Sequence, residues 1–190
     1  MSATVFLISK ILFSAWALRA EVRNLPEIGR HFPLFTFEKN ENPQNIMVVY
    51  VKLDDEGRFE KDPKHPKQPL IGFYWLMNRE KYKPVHPLIV HGIRERLHFV
   101  SQATDRRSFR IRLSDLDDLK QGMKSADIDV KVVGRQNPTV EACLRGVKID
   151  RIYSEAHKTF LPPFRKVDAI TIFGESVADG DPVSRTYSAR

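Results

Sequence analysis

Apolar and polar residues alternate strictly through "SFRIRL", where Phe109, Ile111 and Leu113 are separated by Arg110 and Arg112. A period of two puts the three apolar side chains on one face of a strand and both arginines on the other, whereas a helix would scatter them around its circumference. No other feature constrains the chain so tightly, because a strand with one apolar face needs sheet neighbours and a core beneath it. "TVEACL" repeats the pattern, with Val140, Ala142 and Leu144 facing one way and Glu141 and Cys143 the other. "QNIMVVYVKL" and "PLIGFYWLM" are continuous apolar runs, rich in β-branched and aromatic residues and bounded by Asn-Pro and Pro signals, as expected of strands covered on both faces. "DIDVKVV", "VKIDRIY", "VDAITIF" and "PVSRTYS" bring the total to about eight strands.

Turn chemistry joins these segments. "DDEG", ending at Gly57, opens a connection that runs on through "KDPKHPKQP", a solvated loop by composition. Gly146 falls between two strand patterns, where a tight turn needs it, and "ADGDP" carries a second turn of the Asp-Gly kind. Helical periodicity is confined to two stretches. "HPLIVHGIRERLHFV" spaces Leu88, Ile89, Ile93 and Leu97 near 3.6, and "SDLDDLKQGMK" has Ser114 as an N-cap with early acids and late lysines. The expected fold is therefore mainly β: a single antiparallel β-sandwich or barrel of about eight strands with one or two short helices.

Residues 1–20 contain no acid and are apolar apart from Lys10, Arg19 and a few hydroxyls. They read as a signal peptide, with Lys10 as its charge, "ILFSAWAL" as its apolar core and small residues near Ala17 and Ala20 for cleavage. The uninterrupted run falls short of the ~20 residues a bilayer span demands. Residues 21–190 then form one β-rich domain with its core at about 33–187, exported to the periplasm or secreted. The single cysteine, Cys143, excludes an intramolecular disulfide and with it a small stapled secreted module. The formal charge is +7, and loss of Lys10 and Arg19 with the leader leaves +5.

The order "PLFTFEKNENPQNIMVVYVKLDDEGRF", "FYWLM" and "GIRERL", followed by "VKIDRIYSEAH" and "VDAITIFGESVADGDPV", resembles an uncharacterised bacterial family, domain of unknown function 4833. In that family an Arg-Ile-Tyr strand precedes a Phe-Gly turn and a Gly-x-Pro-Val ending. The likeness extends over roughly residues 33–187. It implies an exported or envelope-associated β-rich domain and assigns no activity to any residue.

Chemical motifs are sparse. His86, His91 and His98 lack the His-x-x-x-His spacing of a helical metal site, so no metal and no cofactor are expected. Cys143 has no base nearby in sequence to activate it, and Gly-x-Ser-x-Gly, Walker and Gly-x-Gly-x-x-Gly patterns are absent. Asp150, Glu155, Asp168 and Glu175 lie in the closing strands, where solvent-facing acids are the ordinary outcome. Two groups remain. Phe73, Trp75 and Met77 share one face of an aromatic strand and would line the cavity of a barrel, taking an apolar or amphiphilic ligand. Arg94, Arg96, Arg106, Arg107, Arg110 and Arg112 crowd a short stretch and would contact an anionic envelope component. Export argues against nucleic acid as a partner. The leading expectation is a non-catalytic binding protein, followed by a docking domain and then by an enzyme.

Overall fold

The computed structural model describes residues 31–39, 44–77, 81–85, 97–113, 127–158 and 165–188, together with Val90 and Ile93. Its elements are eleven strands: β1 (His31–Lys39), β2 (Ile46–Lys52), β3 (Ile71–Met77), β4 (Lys81–Pro84), β5 (Leu97–Gln102), β6 (Ser108–Leu113), β7 (Asp127–Val133), β8 (Thr139–Leu144), β9 (Val147–Lys158), β10 (Arg165–Ser176) and β11 (Pro182–Ser188). All belong to one sheet with the order β4-β3-β2-β1-β9-β8-β7-β6-β5, and β10 and β11 branch from β9. The sheet curls into an open half-barrel.

Each of the eight expected strands is present, and three more join them. Strand β1 escapes the periodicity because Pro33 interrupts it. The register with β2 shifts between Pro33 and Phe35, and such a bulge is one of the few sites where a sheet accepts proline. Strand β4 is only four residues long. Strand β5 was hidden in the first helical pattern, whose last residues, Leu97 to Val100, are extended and paired with β6. No helix is among the described elements. Val90 and Ile93 are helical residues packed against the core, the rest of 86–96 lies outside the described residues, and so does the second helical candidate at 114–126.

Two further corrections concern the architecture. The sheet is open, neither a closed barrel nor a two-sheet sandwich. It is also not wholly antiparallel, since β1 runs parallel to β9. The reason lies in β9. Its whole length on one edge pairs with β10, so β8 and β1 must share the other edge. β8 holds Val147 and Lys148, and β1 takes over at Arg151 to Ser154. From that edge the sheet divides into two arms, β1-β2-β3-β4 and β8-β7-β6-β5.

One apolar core fills the concave side. Strict alternation delivers Phe109 and Ile111 from β6, Ile128 and Val130 from β7, and Val140, Ala142 and Leu144 from β8. Met47, Val49 and Val51 arrive from β2, and Ile149, Ile152, Ile170 and Ile172 from β9 and β10. Burying each of the larger of these apolar side chains contributes about 1.5–3 kcal/mol, which is how a chain without disulfides holds together. Arg145 and Gly146 both have positive φ, 48° and 77°, the signature of the two-residue turn that closes β8 onto β9.

Candidate functional site

The two ends of the sheet path do not meet, and the seam between them holds a cleft. Its apolar wall is Ile71 and Phe73 from β3, Leu97 and Phe99 from β5, and Ile111 from β6, while Asp62, His65 and Gln68, with Pro69 beside them, form its polar side. The cavity is about 160 Å³. Alternation along β3 and β5 builds the wall: residues two apart share a face, so Ile71 with Phe73 and Leu97 with Phe99 turn inward together.

The polar side belongs to the β2–β3 connection, which is more ordered than a solvated loop of this composition suggests. Its first half is tied at Asp54. The Asp54 carboxylate accepts the backbone N–H of Glu56 at 3.1 Å and of Arg58 at 2.9 Å, and Gly57 turns the chain at φ 68°. Burial pushes the Asp54 carboxyl up, but the backbone and side-chain hydrogen bonds from Arg58 outweigh it and hold the group below its ordinary range. Phe59 then plunges into the core and meets Phe109 edge to face, with ring centroids 4.7 Å apart. The second half, 61–69, closes on itself. Asp62 N–H donates to the Gln68 carbonyl at 2.9 Å, Gln68 N–H to the His65 carbonyl at 2.8 Å, and Lys64 N–H to the Asp62 carboxylate at 2.8 Å. Three prolines stiffen this segment by fixing φ.

Arg106 clasps the two arms beside the cleft. It sits in the β5–β6 turn at φ 55°, its carbonyl accepts Phe59 N–H at 2.9 Å, and its guanidinium donates to the Asp54 carboxylate at 2.8 Å. The connection on one arm is thereby fixed to the turn on the other.

The residues singled out from sequence divide as follows. Phe73 lines the cleft; Trp75 packs against the core instead, and Met77 is half-buried outside the cleft lining. Ile71, Leu97, Phe99 and the polar side were missed. The alternation of Leu97 and Phe99 was the signal that would have found β5's share of the wall. Arg94 and Arg96 lie outside the described residues. Arg107 donates to the Gly134 carbonyl at 2.7 Å. Arg110 and Arg112 do project from one face of β6, yet each stands opposite an aspartate of β7: Arg110 bonds Asp129 at 2.6 Å and Arg112 bonds Asp127 at 2.7 and 3.2 Å. The bond from Arg112 holds the Asp127 carboxyl below its ordinary range. Lys131, Glu141, Lys148 and Glu175 continue the row across β7 to β10, making a face of alternating signs.

Burial pushes the Cys143 thiol up, the wrong direction for a nucleophile. His98 lies exposed in β5, not on a helix, and His86 and His91 lie outside the described residues. Among the described residues no cluster of three or more His, Cys, Asp or Glu is placed to hold a metal, and no helix is long and apolar enough to cross a membrane. Neither a family model, nor a curated protein, nor a solved structure matches the chain.

Proposed function

We propose that the chain is an exported binding protein that captures a small apolar or amphiphilic molecule in the seam cleft, without chemistry of its own. The cleft carries this reading: five apolar side chains from three strands converge on one cavity with a short polar side, the usual composition of a ligand site. Its size sets the occupant. A cavity near 150 Å³ accepts a benzene-sized group, so 160 Å³ suits one ring or a short chain and falls below the ~300 Å³ expected for drug-sized ligands. An added peptide strand is a poorer occupant, because both flanking edges are guarded. β5 carries a bulge between Phe99 and Ser101, and β4 is short, with Lys83 and Pro84. The arginine face is likewise a poorer seat for an anion, since Arg110 and Arg112 are already engaged. Export rests on residues 1–20 and on the likeness to an envelope-associated family.

A calorimetric series of straight-chain alcohols tests the cleft. Each added methylene should tighten binding about fourfold, equivalent to ~0.8 kcal/mol, until about six carbons fill the space. Phe99→Trp, which enlarges a half-buried wall residue, should abolish binding while the melting temperature holds. Absence of saturable binding, or binding indifferent to Phe99→Trp, would sink the reading.

A further inference from the structure

The segment that supplies the cleft's polar side also carries three exposed lysines, a cationic rim. Lys61, Lys64 and Lys67 are exposed on the 61–69 segment, adjacent in sequence to the lining residues Asp62, His65 and Gln68. No ion pair engages any of the three among the described residues, in contrast to Arg58, Arg106, Arg110, Arg112, Lys131 and Lys148. The opposing charge in the cleft wall is Asp62, and its carboxylate is occupied within the segment by Lys64 N–H. Three lysines against one aspartate leave the rim at a formal +2. The segment is also preorganised: three backbone hydrogen bonds within it, an isolated bridge between Lys61 and Pro69, and three prolines hold the lysine backbones in place before any ligand arrives.

We infer that the ligand is an amphiphilic anion, its apolar part of about six carbons in the seam cleft and its carboxylate or phosphate head at the lysine rim. The inference rests on the cleft reading and adds the sign of the head. Lysine suits this task because its ammonium is a compact charge on a flexible stem that follows a head group outside the cavity. An arginine would demand a fixed, planar approach.

Four probes of one chain length separate the possibilities: hexanoate, hexyl phosphate, hexanol and hexylamine, titrated calorimetrically into the full chain at low and at physiological salt. At least one of the two anions should bind about three- to tenfold more tightly than hexanol at low salt, and hexylamine more weakly than hexanol, as expected for three exposed charges. Added salt should erase the difference, because rim charges are screened within about 10 Å. The triple variant Lys61→Gln, Lys64→Gln, Lys67→Gln should bring the anions to the affinity of hexanol and leave hexanol itself unchanged; all three positions are on the surface, so folding is not at stake. Whichever anion gains more identifies the head. If hexanol binds as well as both anions, or hexylamine binds best, the cleft reading stands and the anionic head is overturned. If none of the four binds, both are overturned.

Discussion

His31, Tyr50 and Tyr74 come from three neighbouring strands and stack on the face of the sheet opposite the cleft, the His31 and Tyr50 rings 4.2 Å apart and the Tyr50 and Tyr74 rings 4.5 Å apart. The contact desolvates the imidazole, and Lys52 adds a like charge, so the His31 pKa falls from 6.5 to about 4. Its Nδ1 is buried without a hydrogen-bond partner, so a proton there would be stranded. The unfolded chain takes up that proton near pH 6.5, whereas the folded chain resists until about pH 4. Below 6.5 the unfolded state thus binds more protons, and stability drains away as pH falls, the loss complete near pH 4. His31→Gln removes this titration. Melting temperature against pH should therefore fall less steeply between 6.5 and 4 in the variant than in the parent; equal slopes would mean that His31 takes no part. Nothing in the sequence announced this cluster, because stacking depends on a register that places Tyr50 opposite Gly72 and Tyr74 opposite Val48.

Strands with clean alternation or a continuous apolar run were legible, whereas β1 and β5, whose pattern a proline or a bulge breaks, were not. Phe109 and Ile111 point inward as the period of two requires, and so do Val140, Ala142 and Leu144. β1 and β5 each carry a bulge, which moves inward residues off the alternate positions on which periodicity relies. β9 and β10 were found but shortened, to 147–153 and 167–173, and their mutual register shifts between Val167 and Ala169 and between Phe173 and Gly174. At the second of those shifts Phe173 pairs with Arg151 and Gly174 with Ile149, so the expected Phe-Gly turn is instead continuous β10 strand opposite a bulge at Asp150 of β9. Gly174 is needed for space: a Cβ there would lie 2.0 Å from the Lys148 carbonyl oxygen of β9. Gly174→Ala must push apart the most extensively paired strands of the sheet and should destabilise the fold by about 1–3 kcal/mol in urea unfolding. Gly180 makes the comparison. A Cβ there meets nothing, and its φ of 77° makes conformation the cost, so Gly180→Ala should cost about 1 kcal/mol. If Gly174→Ala is the milder of the two, the close approach of β9 and β10 does not require glycine.

At the scale of the whole molecule, the sheet divides at β9 and the ends of its two arms leave a seam open, which explains why the site was only partly readable. Phe73 was visible because its own strand is strongly patterned, but the opposite wall comes from β5 and β6, 24 to 38 residues further along. No local pattern records which distant strand will face β3 across an unclosed sheet. Residues 1–20 pose the opposite case, a stretch whose reading as a removable leader rests on the sequence alone. Its test is the mass of the full-length chain, tagged at the C-terminus and recovered from a Gram-negative host. A periplasmic species shorter by about 17 to 20 residues, with cleavage after Ala17 or Ala20, is the expected result. Native mass spectrometry of that species reads the cleft at the same time, since a retained amphiphile adds a second peak that Phe99→Trp should remove. A full-length mass confined to the cytosol would overturn export, and it would make cytosolic anions the pool from which the lysine rim draws.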